Sequence, residues 1–448
     1  MVLDRASAEG IIEQALAASD ADETLVFLSA SDKALTRFSE NSIHQNVSEH
    51  EVELTVQAAL GKKLGVASGN VNSGDDPARI AARALAVARV QGEKADYAGL
   101  ADPAAIAEVK CFSEATAGYT PDQRADAAGR VIAAARAAKM KAAGSFMTEA
   151  SALAVGNSKG VFAYHPATQA ELVAVVMADD ASGYCEGAGW DVARVDVDAL
   201  AADAVRRAEL SRKPRDVKPG RYDLIVEPYA IGELFSWMAF VIFDTRATQE
   251  GRSLLSKRMG ERIMGENVTI VDDGLSPQTI PLPFDYEGVA RSRVTLIDRG
   301  VARGLCYDLA TAAKEGKKTT GHALPPGSTG GPFPLNLTLA AGDSAVPEMI
   351  TAMDHGLYAT RFHYVNGYVE PMQAVFTGMT RDGTFWVEDG KIQYGVKNLR
   401  WTESMLRAFC SVKMLGRESK LVNASDGLMT VSPAVYFRDF AFTGTTEH

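Results

Sequence analysis

The chain has 448 residues, 46% of them hydrophobic and 23% charged, and a formal net charge of −11. That length supports a sizeable core and, at roughly 100–200 residues per domain, two to four domains. The acidic balance speaks against direct binding to nucleic acid or to an anionic membrane surface, no run reaches the ~20 apolar residues of a spanning helix, and the start MVLDRASAEG is too polar for a signal peptide, so the expectation is a soluble cytoplasmic protein.

The first element in chain order is SAEGIIEQALAASD, with Ile11, Ile12, Ala15 and Leu16 at helical spacing. From Glu23 to Asn70 the pattern changes to period-2 alternation. It predicts short strands separated by turns at SDK, SEN and LGKK. Asp75 and Asp76 before Pro77 start an alanine-rich helix over 75–91. Residues 92–119 read as a loop-rich crossing. Thr120 and Pro121 then open a second strong helix. Strands follow around 145–157 and 160–178, joined by a GNSKG turn, and a further helix ends near 212. The polar, proline-containing SRKPRDVKPG marks the main boundary. This gives an α+β domain over 1–212, with a subdomain break near 92–119, and a second domain over 220–448.

The second half carries many short strands and few helices. RYDLIVE is a strand, 228–242 a helix, and RDG and EDG are hairpin-turn signals. Strands at this density predict a closed or curled sheet, because an open sheet must manage its edges. The fold class is therefore α+β, with a β-rich, barrel-like C-terminal domain.

Chemistry is hard to find. Cys111, Cys185, Cys306 and Cys410 form no CxxC pair and read as free buried thiols. No two of the seven histidines lie three or four residues apart, as a helical zinc motif requires. His355 and His363 share strand parity, and with His322 they form a conceivable metal set. The serines in GRSLL and GSTGG lie outside a nucleophile elbow. The loop GHALPPGSTGG (321–331) lacks the lysine of a phosphate-binding loop and reads as an irregular loop beside a cleft. Asp285 and Glu287 fall on one face if extended. Glu233, in EPYAIGELFSWMAF, lies at the edge of an apolar helical stripe with no polar partner nearby, which reads as a rim carboxylate.

Three stretches together resemble the TldD/PmbA family: TRFSENSIHQNV (36–47), the long run FDYEGVARSRVTLIDRGVARGLCYDLATAAKEGKKTTGHALP (284–325), and TGMTRDGTFWVEDGKIQYGVKNLRW (377–401). Their order and spacing hold over nearly the whole chain. The resemblance implies dimers and an association with cytoplasmic proteolysis, and the family is also named for modulation of DNA gyrase. Its active subunits carry a His-Glu-x-x-x-His helix and a later cysteine that together hold zinc. Two imidazoles one turn apart bind the metal, and the glutamate handles the proton of the attacking water. By position that helix corresponds to residues 227–240 here, where both histidines are missing. The later cysteine is missing too, since RESKLVNASDGLMTVSPAVYF contains none and Cys410 lies earlier.

The resemblance is therefore to the PmbA (TldE-like) branch. It implies no catalytic residue, metal or cofactor in this chain, and zinc in a TldD-type partner. That partner forms a heterodimer, with a homodimer as the alternative, and a peptide is the substrate. The candidate substrate cleft is assigned to Glu287, Thr320, Gly321, His322 and His363. Two other functions stay open: a stand-alone hydrolase with a relocated metal site, and a non-enzymatic binding or regulatory protein.

Overall fold

A computed structural model describes residues 3–423 and 428–446. Among them are two sheets. The first joins six strands: β1 (Glu23–Ser39), β2 (Ser42–Leu60), β3 (Lys63–Asn70), β4 (Lys141–Asn157), β5 (Phe162–Met177) and β6 (Ser182–Gly189). Their order is β3-β2-β1-β4-β5-β6, antiparallel throughout.

The even-numbered residues of β1 share one face with their partners on β2 and β4. Val26, Leu28 and Ala30 pack under the helices Arg5–Ala17 and Pro77–Val90, through Ile12, Ile80 and Ala84. Phe38 and Phe146 pack under Pro121–Ala137 and Val197–Leu210, through Val131 and Ala204. The other face of β1 is apolar at one end only, where Leu25 and Phe27 meet Leu100, Val155 and Phe284.

The second sheet has eleven strands: β7 (Gly220–Val226), β8 (Ile270–Asp272), β9 (Val294–Asp298), β10 (Val301–Ala302), β11 (Asn336–Leu339), β12 (His355–Glu370), β13 (Val375–Glu388), β14 (Lys391–Gly395), β15 (Leu399–Ser404), β16 (Val412–Asn423) and β17 (Met429–Thr445). β7 pairs in parallel with β12 and antiparallel with β17, so β7-β12-β13-β15-β17 closes on itself. That closure is the barrel-like element the sequence predicts. One face of the ring carries Val226, Phe362, Phe376, Trp401 and Phe440. Against it lies the helix Pro228–Val241, contributing Ile231, Leu234, Phe235 and Met238, all buried.

Several local readings need correction. SDK is not a turn: Ser31, Asp32 and Lys33 continue β1, a strand of 17 residues. RDG is a bulge within β13, where Asp382 and Gly383 take positive φ against β12. EDG does turn the chain into β14, and SEN and LGKK turn it as predicted. The strands are longer than expected because bulges absorb turn-like residues without ending the ladder. β6 carries no turn or alternation strong enough to be read. Cys410 is exposed rather than buried, although its Sγ reaches Ile263 O at 3.4 Å.

Trp401 is fully buried between Phe362 and Phe440, with ring centroids 4.8 and 5.6 Å away. Trp401→Ala should cost about 3–5 kcal/mol in urea denaturation, from lost burial and an unfilled cavity. A loss below about 1 kcal/mol would show that the ring does not pack as one unit.

Candidate functional site

The region 270–336 is organised by one carboxylate. Asp272, at the end of β8, is wholly buried. Its Oδ1 accepts from Arg291 Nη2 at 2.7 Å and from His322 Nε2 at 2.8 Å. Its Oδ2 accepts the backbone N–H of Asn336 at 2.7 Å. Burial alone disfavours its charge, but Arg291, His322 and the Asn336 N–H outweigh that and hold the carboxyl at about 2. Arg291 Nη1 donates in turn to Asn336 Oδ1 at 2.9 Å. His322 presents Nε2 to Asp272 Oδ1, and its Nδ1 lies 2.9 Å from both the carbonyl oxygen and the hydroxyl of Thr320. Burial, followed by the Arg291 charge, pushes its pKa down against Asp272 and the Thr320 carbonyl.

A cleft lies in front of this network, between the two sheets. It holds about 130 Å³ of room for water and is lined by Tyr97, Arg246, Glu287, Asp308, Pro325 and Gly327 among others. Asp285 fixes its floor by accepting three backbone N–H groups: from Glu287 and Val289 on Oδ1 and from Ala323 on Oδ2, each at 2.9 Å. Burial raises the Asp285 carboxyl to about 6 against those hydrogen bonds. Glu287 accepts from Leu309 N at 3.0 Å, and burial followed by the Asp285 charge drives its pKa far upward.

Among the residues assigned to the cleft from the sequence, Glu287 lines it. Gly321 closes the turn behind it at φ +72°, where a Cβ would sit 2.4 Å from Ala290 O. Thr320 donates its N–H to Tyr307 O at 3.0 Å, and His322 lies beneath the floor. His363 stands apart on β12, where burial and then the charges of Arg381 and Arg361 lower its pKa. His355 is exposed at the start of β12, beside Asp354. The three histidines do not gather, and among the described residues no group of three His, Cys, Asp or Glu is placed to hold a metal ion.

The helix Pro228–Val241 starts from β7 with Pro228 in its first turn. Glu227, just before it, is buried against Tyr358 and lies 3.3 Å from the Arg207 guanidinium. Phe235 packs on Phe409 with centroids 6.1 Å apart, and Trp237 meets Tyr368 edge-on at 5.3 Å. Glu233 is half-buried, its carboxyl pushed up by burial against the opposing Arg361 charge.

Sequence reading missed the group facing Glu233. Glu186 on β6 accepts from Tyr184 OH and from Asn423 N, both at 2.8 Å. Burial raises its pKa to about 7 against those hydrogen bonds, with Glu171 and Glu233 adding like charge. Asn423 Nδ2 also holds Glu171 at 3.1 Å. No local signal marks these residues, since β5, β6, the helix and β16 meet only in the fold.

The fold and these sites define a two-sheet protein with a barrel-like C-terminal part, and comparison with known proteins gives its class. Residues 219–444 match the PmbA/TldA metallopeptidase C-terminal domain and residues 115–212 the PmbA/TldA metallopeptidase central domain. The chain belongs to the PmbA/TldD family. It is 26% identical to the metalloprotease PmbA of Escherichia coli O157:H7 over 409 residues, covering 87% of this chain and 85% of that protein. To a metalloprotease of Methanothermobacter thermautotrophicus it is 26% identical over 289 residues, 62% of each protein. It thus spans less than two thirds of several curated relatives that it matches. The fold is shared with TldE from Thermococcus kodakarensis, at a TM-score of 0.87 and 20% identity over 98% of this chain and 100% of that one.

Two stability effects follow. Asp272→Asn leaves Arg291 as an uncompensated buried charge and should cost about 3–5 kcal/mol at pH 7. Because the folded pKa lies below the ordinary value of 3.8, the wild-type contribution should be complete above that value and fade as pH falls toward 2; urea titrations at several pH values read both. Glu186 has the opposite sign: its folded pKa is raised, so its burial destabilises progressively as pH rises from 4.5 to about 7 and by a constant amount above that. Glu186→Gln should therefore gain about 1–3 kcal/mol relative to wild type at pH 9 and little at pH 5. A pH-independent difference would refute that assignment.

Proposed function

We propose that this chain is a metal-free subunit of a TldD/TldE-type cytoplasmic metallopeptidase complex, contributing to peptide binding and to closure of the chamber around a zinc-bearing TldD-type partner. The observation that carries the reading is the helix Pro228–Val241. At the place where the family resemblance expects two imidazoles, Leu234, Phe235 and Met238 are fully buried in an apolar core. A zinc site needs three or four N, S or O donors converging at about 2.0–2.3 Å, and these side chains offer none. Its one acid, Glu233, faces Arg361 and the Glu186 group rather than a ligand pair.

Other features are consistent with a companion role. The family match runs through the central and C-terminal domains, and the likeness to the TldE fold covers nearly the whole chain. No helix among the described residues is long and apolar enough to cross a membrane. The chain's −11 charge favours a protein or peptide partner over direct contact with DNA.

Co-expression with the zinc-bearing TldD-type homologue from the same genome tests the reading. A stable complex should copurify, and its peptidase activity should exceed that of either chain alone by at least about tenfold, a barrier change of about 1.4 kcal/mol. Failure to associate, or equal activity without this chain, would reject the role.

A further inference from the structure

The cleft in front of the Asp272 network is walled by both halves of the chain, Leu25, Leu64 and Leu100 from the first and Leu309, Leu324 and Pro325 from the second. Its volume of about 130 Å³ takes a ligand of a few heavy atoms. The Ala323 N–H is spent on Asp285 and the Leu309 N–H on Glu287. Pro325 and Pro326 bring carbonyls to the wall but no N–H.

Two polar side chains line the cleft with a hydrogen-bonding function to spare. Glu287 Oε2 takes the Leu309 N–H at 3.0 Å, and its Oε1 has no partner among the described residues. Asp285 stands two residues before it and Asp308 at the start of the helix Leu309–Lys314, and no cation among the described residues pairs with it. A buried carboxyl with acids beside it and no cation keeps its proton. With Oε2 accepting, Oε1–H is a donor. Tyr97 supplies the complement. Its hydroxyl donates to Glu23 Oε2 at 2.8 Å, so the phenol oxygen is left as an acceptor. Burial and then Glu23 push its pKa up, with Glu287 close enough to contribute, so it stays a phenol.

The charged groups of the lining are Lys94 and Asp96, both exposed, and Arg246 and Asp308. Arg246 Nη1 donates to Thr329 O at 2.9 Å, and Asp308 Oδ1 caps its own helix through Thr311 N at 2.7 Å. Two positive and two negative groups cancel, which leaves no net charge to answer an ion.

We propose that this cleft binds an uncharged carboxamide, the Glu287 carboxyl donating to its carbonyl oxygen and its N–H donating to the Tyr97 oxygen. One donor beside one acceptor is the pattern an amide complements; a carboxylate lacks the N–H, and an ammonium lacks the acceptor. The leucine and proline walls take the carbon chain. The inference names the group recognised in the peptide binding proposed above, and it rests on that reading only for the source of the amide. It is read on the chain alone, so a failed partnership leaves it standing and a failed titration leaves the partnership standing.

Saturation-transfer NMR titration of the full chain at pH 7 tests it, with propionamide for an asparagine or glutamine side chain and N-methylacetamide for a backbone peptide bond. At least one amide should bind about tenfold or more tightly than propionate and n-propylammonium, the loss expected when a buried hydrogen-bonding group goes unpaired. The tighter of the two amides identifies the source. Glu287→Gln keeps a donor at Nε2 and an acceptor for the Leu309 N–H, and should hold the amide affinity within about threefold. Glu287→Met removes both and should weaken it about tenfold or more. Tyr97→Phe, at a half-buried loop position, removes the phenol oxygen and should weaken it about threefold to tenfold. Four results would overturn the assignment: no amide binding at about 50 mM, a generous limit for so small a ligand; equal binding of amide and propionate; tighter binding of propylammonium that Glu287→Gln abolishes; or amide binding undiminished in both Glu287→Met and Tyr97→Phe.

Discussion

The C-terminal half depends on the burial of one ionised carboxylate. Asp272 receives Arg291, His322 and the Asn336 backbone N–H, and so pins together β8, β11, the turn after Glu287 and the loop that begins at Thr320. Such a group is tolerated only when charge and hydrogen bonds answer it completely. Here they do, and both oxygens are used. The consequence is positional rather than stabilising in itself. The loop 321–331 contains two prolines and little regular structure, yet it has a fixed point at His322 and a second at Ala323, where its N–H meets Asp285.

Two nearby acids show how environment sets the charge. Asp272 and Asp285 are equally buried and both bonded to backbone N–H groups, but only Asp272 touches a guanidinium. Its carboxyl stays ionised, whereas that of Asp285 rises to about 6 and that of Glu287 further. The cleft therefore sets a protonated Glu287 carboxyl beside a fully ionised foundation at Asp272. A carboxyl held neutral at a cleft wall donates a hydrogen bond, which suits a ligand carbonyl better than an ammonium group.

How far the sequence showed all this depended on how local each feature was. Helix starts at Thr120 and Pro228 were legible because capping and proline chemistry act within a few residues. The curled second sheet was legible from strand density. The lengths of β1 and β13 were not, because SDK and RDG have turn chemistry that the ladder overrides. The loop 321–331 reads as irregular in sequence, and the structure places Glu287 in the lining of the cleft and Gly321 behind it. His322 looked similar in sequence, but its partner Asp272 lies fifty residues away, and only the fold shows that its ring is already occupied. The Glu186 group is invisible locally for the same reason. It is defined by what packs against it.

The helix Pro228–Val241 is packed on most of its circumference. A metal-bearing helix must keep one face open to ligand and solvent, so it carries polar side chains toward a cavity. In this helix 11 of the 14 residues are buried, β12 and β17 close over it, and its less buried face is made by Glu233, Trp237 and Phe240, two of the three aromatic. Its packing draws on the same aromatic set, Phe362, Trp401 and Phe440, that fills the ring. The ring and the helix form one hydrophobic unit, so neither can move without repacking the other.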